Sequence, residues 1–163
     1  MSEWRFGMIL KMRWAATAIA CAFGGGMLAY AATPAIVSAI KARQANFKEI
    51  GGDFKAVSDE IKSGAPNLSA VRSAAHDLNQ RAGGQLKYFL RGSGQESGVT
   101  TRALPAIWSD GAEFAKRNGD FVRAAADLDS AAQKGDVARL VAARSALGMI
   151  CKGCHEKYRA EEE

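Results

Sequence analysis

Cys151 and Cys154 stand three residues apart and a histidine follows at once, in the run Cys151-Lys152-Gly153-Cys154-His155. On an α-helix, positions three and four apart share a face, so two thiols and one imidazole project together. That arrangement suits covalent attachment of a porphyrin. The thiols form thioethers to the ring edge, and the imidazole reaches the iron from the same side. C-x-x-C-H is the attachment signature of c-type haem, with histidine as a standard proximal ligand. Other uses of the pair fit less well. A structural zinc site takes four ligands, but the histidines are His76 and His155 alone and no second C-x-x-C exists. A thioredoxin-like pair opens a helix in a βαβ unit, whereas this pair falls late in a helical stretch. One covalent haem c near the C-terminus is therefore the expected cofactor, with His155 as the iron ligand.

The elements that must position this motif read as helices. The composition is Ala-rich, with few prolines and few β-branched runs, which favours helix. Thr33-Pro34 is a helix start, with Thr33 as N-cap and Pro34 at the first helical position. Ile36, Ile40, Phe47, Ile50, Phe54, Val57 and Ile61 recur at helical spacing, which predicts a first helix over 34–62 with Gly51-Gly52 as a place to bend. A loop at 63–67 leads to a second helix over 68–86, whose stripe is Val71, Ala75, Leu78, Ala82 and Leu86. Residues 88–104 carry Gly92, Gly94 and Gly98 and read as a long irregular connection, the kind that is often functional. Pro105 and Ser109 introduce a third helix, with Ile107, Trp108, Phe114, Phe121, Val122, Ala125 and Leu128 as its apolar positions, running to about 133. Gly135-Asp136 reads as a C-cap followed by an N-cap. A fourth helix over 137–160 then places Val137, Leu140, Val141, Leu147, Ile150, Cys151 and Cys154 inward. Short connections favour antiparallel neighbours, so the expected fold is all-α: an antiparallel up-down four-helix bundle with the haem set among the helices.

The N-terminal 31 residues read as a secretory leader: Lys11 and Arg13, an apolar run from Trp14 to Tyr30, and Ala29-Tyr30-Ala31 as an A-x-A cleavage pattern. The alternative is a retained membrane anchor, which Gly24-Gly25-Gly26 weakens. Cleavage removes Cys21 and leaves a domain over 32–163 with the two motif cysteines. Export to the periplasm and thioether attachment agree with each other. That domain keeps 19 basic and 16 acidic residues, a formal charge of +3. The charge is too mild and too scattered for a nucleic-acid partner. No Ser-His-Asp or paired-carboxylate motif points to an enzyme.

Sixth-ligand chemistry separates an electron carrier from a gas-binding site. Beyond the leader the only methionine is Met149, two residues before Cys151 on the same helix. His76, slightly off the apolar stripe of the second helix, is the other strong candidate and gives the competing reading of a six-coordinate electron carrier. Ligand scarcity favours an iron held by His155 alone.

The C-terminal run Cys151-Lys152-Gly153-Cys154-His155-Glu156-Lys157-Tyr158-Arg159 resembles the cytochrome c′ family, the class II c-type cytochromes that include the c-556 proteins. Lys41-Ala42-Arg43-Gln44-Ala45-Asn46-Phe47 is similar to the family's first-helix pattern, and Pro105-Ala106-Ile107-Trp108-Ser109-Asp110 with Phe114 to its third-helix opening. The resemblance covers essentially the whole chain after the leader. It implies a homodimeric four-helix bundle with one covalent haem. It places Phe47 at the distal position, where methionine gives six-coordinate c-556-type carriers and Leu or Phe gives five-coordinate haem that binds NO and CO. It also implies Arg43 and Gln44 near the haem propionates, Arg159 close to the proximal histidine, and a haem contact from the loop before Pro105, where Thr101 and Arg102 are both available. The redox partner is not implied.

Overall fold

The structure, a computed structural model, describes residues 32–161. The leader and Cys21 lie outside them. Four long helices account for most of the chain: α1 (Pro34–Lys62), α2 (Leu68–Ala82), α4 (Gly111–Lys134) and α5 (Val137–Tyr158), with a single helical turn, α3 (Ala106–Ser109), before α4. Among the described residues the only β feature is an isolated antiparallel bridge between Ala103 and Arg159. The expected all-α four-helix architecture is present.

The helices α1, α2 and α5 begin where their sequences say they should. The Thr33 hydroxyl accepts from the Ile36 N–H at 3.3 Å, with Pro34 at the first position of α1. The Asn67 side chain caps α2 through the N–H groups of Ser69 and Ala70. Asp136 caps α5 through Arg139 N–H at 3.0 Å. Gly135, at φ +68, closes α4 in the left-handed conformation that glycine adopts without penalty.

The first helix spans Pro34–Lys62 as expected and is unbroken through Gly51 and Gly52, with Ile50 and Val57 on either side both sunk in the core. Other boundaries differ from expectation. The second helix stops at Ala82. Gly83 turns extended and Gly84 takes φ +75, which diverts the chain into a 3₁₀ turn over Gln85–Tyr88 and leaves Leu86 exposed rather than on the stripe. The third helix is split, since Asp110 at φ −120, ψ 45 separates α3 from α4. The last helix ends at Tyr158, where Arg159 becomes extended to meet Ala103. Val137 and Val141 face solvent. At about 100° per residue they lie about 60° and 100° round from Leu140, off the face that carries Leu140 and Leu147.

The main core lies between α1, α2, α4 and α5 and is built from Val57, Val71, Leu78, Leu128, Leu140 and Leu147, all essentially without solvent exposure. Burying each such side chain contributes about 1.5–3 kcal/mol. A second cluster of Ala103, Ile107, Phe114 and Tyr158 sits at one end of the bundle. Consecutive helices are antiparallel, with α1 against α2, α2 against α4, and α4 against α5. The seam between α1 and α5 is much less closely packed.

Candidate functional site

The α1–α5 seam is where the motif residues meet the first helix. Its register is fixed at two points. Arg144 Nε donates to Ser58 Oγ at 2.9 Å, and the Phe54 ring lies 3.3 Å from where a Cβ on Gly148 would stand. These helices are antiparallel, so each step back along α1 matches a step forward along α5. Carried along, the register brings Gly51 level with Cys151 and Phe47 level with His155. Phe47 thus stands on the opposite wall of the seam from the histidine.

Cys151 and Cys154 are free thiols and both half-buried. Cys151 packs against the main core and Cys154 against the aromatic cluster. Burial pushes both thiols above the ordinary range. The neighbouring Cys154 adds to that for Cys151, and Arg117 opposes it for Cys154. Burial lowers the His155 pKa, and the nearby Arg159 and Arg102 guanidinium groups lower it further. A lower pKa favours the neutral imidazole, the form whose lone pair a metal requires. Arg159 Nη1 lies 3.5 Å from His155 Nδ1.

The end of α5 is clamped to the segment before α4. Leu104 N–H donates to Tyr158 O at 3.0 Å, Ala160 N–H to Arg102 O at 2.8 Å, and Arg102 Nε back to Ala160 O at 2.7 Å. Lys157 Nζ meets Asp110 Oδ2 at 2.5 Å. The turn that carries His155 is therefore held on its C-terminal side by backbone as well as by charge.

Arg43, Gln44 and Thr101 come together as one cluster. The Arg43 guanidinium, 4% exposed, donates to Ser93 O at 2.9 Å, Ser93 Oγ at 3.1 Å, Thr101 Oγ1 at 2.8 Å and Tyr88 O at 3.4 Å. Gln44 Nε2 donates to Thr100 O at 2.9 Å. Burial lowers the Arg43 pKa and Glu96 opposes that. The terminal nitrogens of Arg43 are thus committed to the 85–104 loop, so any contact with a propionate falls to its remaining Nε–H. Of the two loop candidates, Thr101 bonds Arg43 and Arg102 binds the C-terminal segment.

An aromatic file runs through the site, and one of its members, Phe89, was not singled out by the sequence. Phe47 meets Phe89 edge-on at 6.3 Å, Phe89 meets Phe114 at 4.8 Å, and Phe114 meets Tyr158 at 5.0 Å. Phe89 carries no periodic signal because it lies in the irregular connection. The signal for it was a phenylalanine inside a glycine-rich stretch.

His76 and Met149 are placed elsewhere. His76 Nδ1 lies 3.4 Å from Asp129 Oδ2. On α4, Asp129 is twelve residues past Arg117, the residue whose guanidinium lies against Gly153. At 1.5 Å per residue that is about 18 Å along the helix. Met149 is 68% exposed and lines a groove between α4 and α5 with Arg117 and Asp120.

These residues fit a covalent haem. Two thiols and an imidazole share one turn, and Phe47, level with them on α1, leaves 37% of its surface open to solvent. Solvent-facing apolar surface of that size is what a porphyrin face would cover.

Known proteins resemble this chain along most of its described length. The family profile for cytochrome C′ matches residues 38–159. The cytochrome c′ of Rubrivivax gelatinosus is 35% identical over 74% of this chain and 93% of its own length. The cytochrome c-556 of Agrobacterium tumefaciens is 32% identical over 76% of this chain and 98% of its own. Among solved structures, the nitric oxide complex of a cytochrome c′ variant from Alcaligenes xylosoxidans superposes with a TM-score of 0.70. It is 27% identical and covers 78% of this chain and 97% of that one.

Proposed function

The chain belongs to the cytochrome c′ family and carries one covalent haem c, and from that premise we propose that it takes a diatomic ligand, NO or CO, on a haem whose only protein ligand is His155. Haem c supplies an iron that accepts one such ligand or one electron, and single-electron transfer is a second use of the same centre. Cys151 and Cys154 hold the porphyrin edge on α5. His155 takes the proximal side. Phe47 stands across the seam and offers no lone pair, so it excludes water and other donors without binding the iron. Arg43, Gln44 and Thr101 hold the loop at the site's edge, and Arg159 orients the His155 ring through Nδ1.

The observation that carries the reading is the α1–α5 register, which sets an apolar ring level with His155 while His76 is tied to Asp129 and Met149 faces the α4–α5 groove. The nitric oxide complex of the Alcaligenes relative supports NO as a ligand. The leader pattern supports export and a periplasmic site of action, with the 1–31 segment removed, and the family supports a homodimer. Among the described residues no helix is long and apolar enough to cross a membrane.

The test is the optical spectrum of the purified ferrous protein with and without NO. A high-spin spectrum that changes on adding NO is expected. A low-spin, six-coordinate ferrous spectrum before any addition would overturn the reading. His76→Ala is expected to leave the spectrum unchanged.

A further inference from the structure

Phe89 is held more firmly than its loop position suggests. Its backbone N–H donates to Leu86 O at 3.0 Å, and its carbonyl accepts from Trp108 Nε1 at 3.1 Å. Its ring lies 4.8 Å from the Arg43 guanidinium carbon, which is itself fixed by four hydrogen bonds, and 4.8 Å from the Phe114 ring at an interplanar angle of 67°. Loop, buried cation and aromatic cluster therefore converge on one side chain. Phe47 meets the same ring at 6.3 Å and 69°. Both aromatic pairs fall within the separations at which edge-to-face rings attract.

Phe47 is held differently. It is 37% exposed, and the firmly held Phe89 ring backs it. A ligand arriving level with His155 must displace this ring. The ring can retreat only as far as Phe89 permits, and its resting position is set by the same contact.

We propose that Phe89 is a specificity-determining positioning residue: by backing the Phe47 ring it sets the size of ligand that reaches the iron and the rate at which it does so. The proposal rests on Phe47 being the distal residue. Phe89 acts through Phe47 and touches no ligand itself. With Phe89 cut back to alanine, Phe47 relaxes into the space released, and the approach to the iron stays open.

The experiment uses the ferrous holoprotein and two ligands of different size, CO and n-butyl isocyanide. Phe89→Ala is expected to raise the CO association rate about tenfold, the scale of one aromatic contact, and the isocyanide rate by more. Phe89→Leu, which keeps an apolar wall against Phe114, is expected to rise about threefold and serves if the alanine variant does not fold. Phe47→Ala combined with Phe89→Ala is expected to match Phe47→Ala alone, because the second residue works through the first. A ¹⁹F spectrum of the same holoprotein with 4-fluorophenylalanine at position 47 is expected to shift in the Phe89 variants before any ligand is added. If Phe47→Ala accelerates binding while the Phe89 variants stay within twofold of the parent and the ¹⁹F line does not move, the proposal fails and the distal assignment stands. Additive effects in the double variant also overturn it. If Phe47→Ala itself changes neither rate, the distal assignment fails and takes the proposal with it.

Discussion

Arg43 has the most to lose by substitution. It is buried, and its hydrogen bonds reach residues 45 to 58 positions away in sequence. Truncation strands the Ser93 and Tyr88 carbonyls as well as the Thr101 hydroxyl. Arg43→Ala is expected to lower unfolding free energy by about 3 kcal/mol, the scale of hydrogen bonds to a charged donor, measured by urea titration. Arg43→Lys is expected to recover only part, since an ammonium cannot reproduce the planar fork. The motif residues Cys151, Cys154 and His155 were legible because their chemistry depends on spacing within one turn. Arg43 was legible only by resemblance, and its partners were not legible at all. Nothing local in Ser93 or Thr101 announces a guanidinium from another helix. Phe89 was hidden for the same reason, since its meaning comes from three elements that fold onto it.

At the scale of elements, the capped helix starts and the ends of α1 and α4 were read well, and the ends of α2 and α5 were overrun. Starts are set by side-chain caps within three residues, as Thr33, Asn67 and Asp136 show. The end of α5 is set instead by the strand-like pairing of Ala103 with Arg159, a contact between distant segments. The exit of α2 depends on Gly84 in the left-handed region. An alanine there meets no crowding beyond the flexible Lys87 side chain, so its cost is conformational. Gly84→Ala is expected to destabilise the protein by about 1–2 kcal/mol and to leave the haem spectrum unchanged, as checked by urea titration and absorption on the same sample. Asp136→Ala is expected to cost about 1 kcal/mol through the lost cap of α5, by the same titration.

Across the whole molecule, the α2–α4 interface carries a carboxylate that ties stability to pH. Burial of Asp129 acts to raise its pKa, but hydrogen bonds from Gln133, Asn79 and His76 outweigh it, and the net shift is downward. A depressed folded pKa means stability that is complete above the ordinary aspartate value, about 3.9, and is lost as pH falls below it toward the folded value. Urea midpoints measured from pH 6 to pH 3 are expected to drop at the acid end, and Asp129→Asn is expected to flatten that drop. The four-helix arrangement followed from periodicity and short connections. The uneven closure of its ring of helices did not, because periodicity reports that a face is buried and not how tightly. That unevenness governs what happens when the bundle yields. The seam between α1 and α5 rests on few contacts, while α5 leans along α4 and is clamped at its end by the 102–104 segment. Sub-global opening begins where contacts are sparse, so the α1–α5 seam parts before the α1–α2 and α4–α5 interfaces do. With the porphyrin bonded to α5, a molecule caught in that partly opened state keeps its colour, and its pigment cannot be stolen by a competing apoprotein as a loosely held one can.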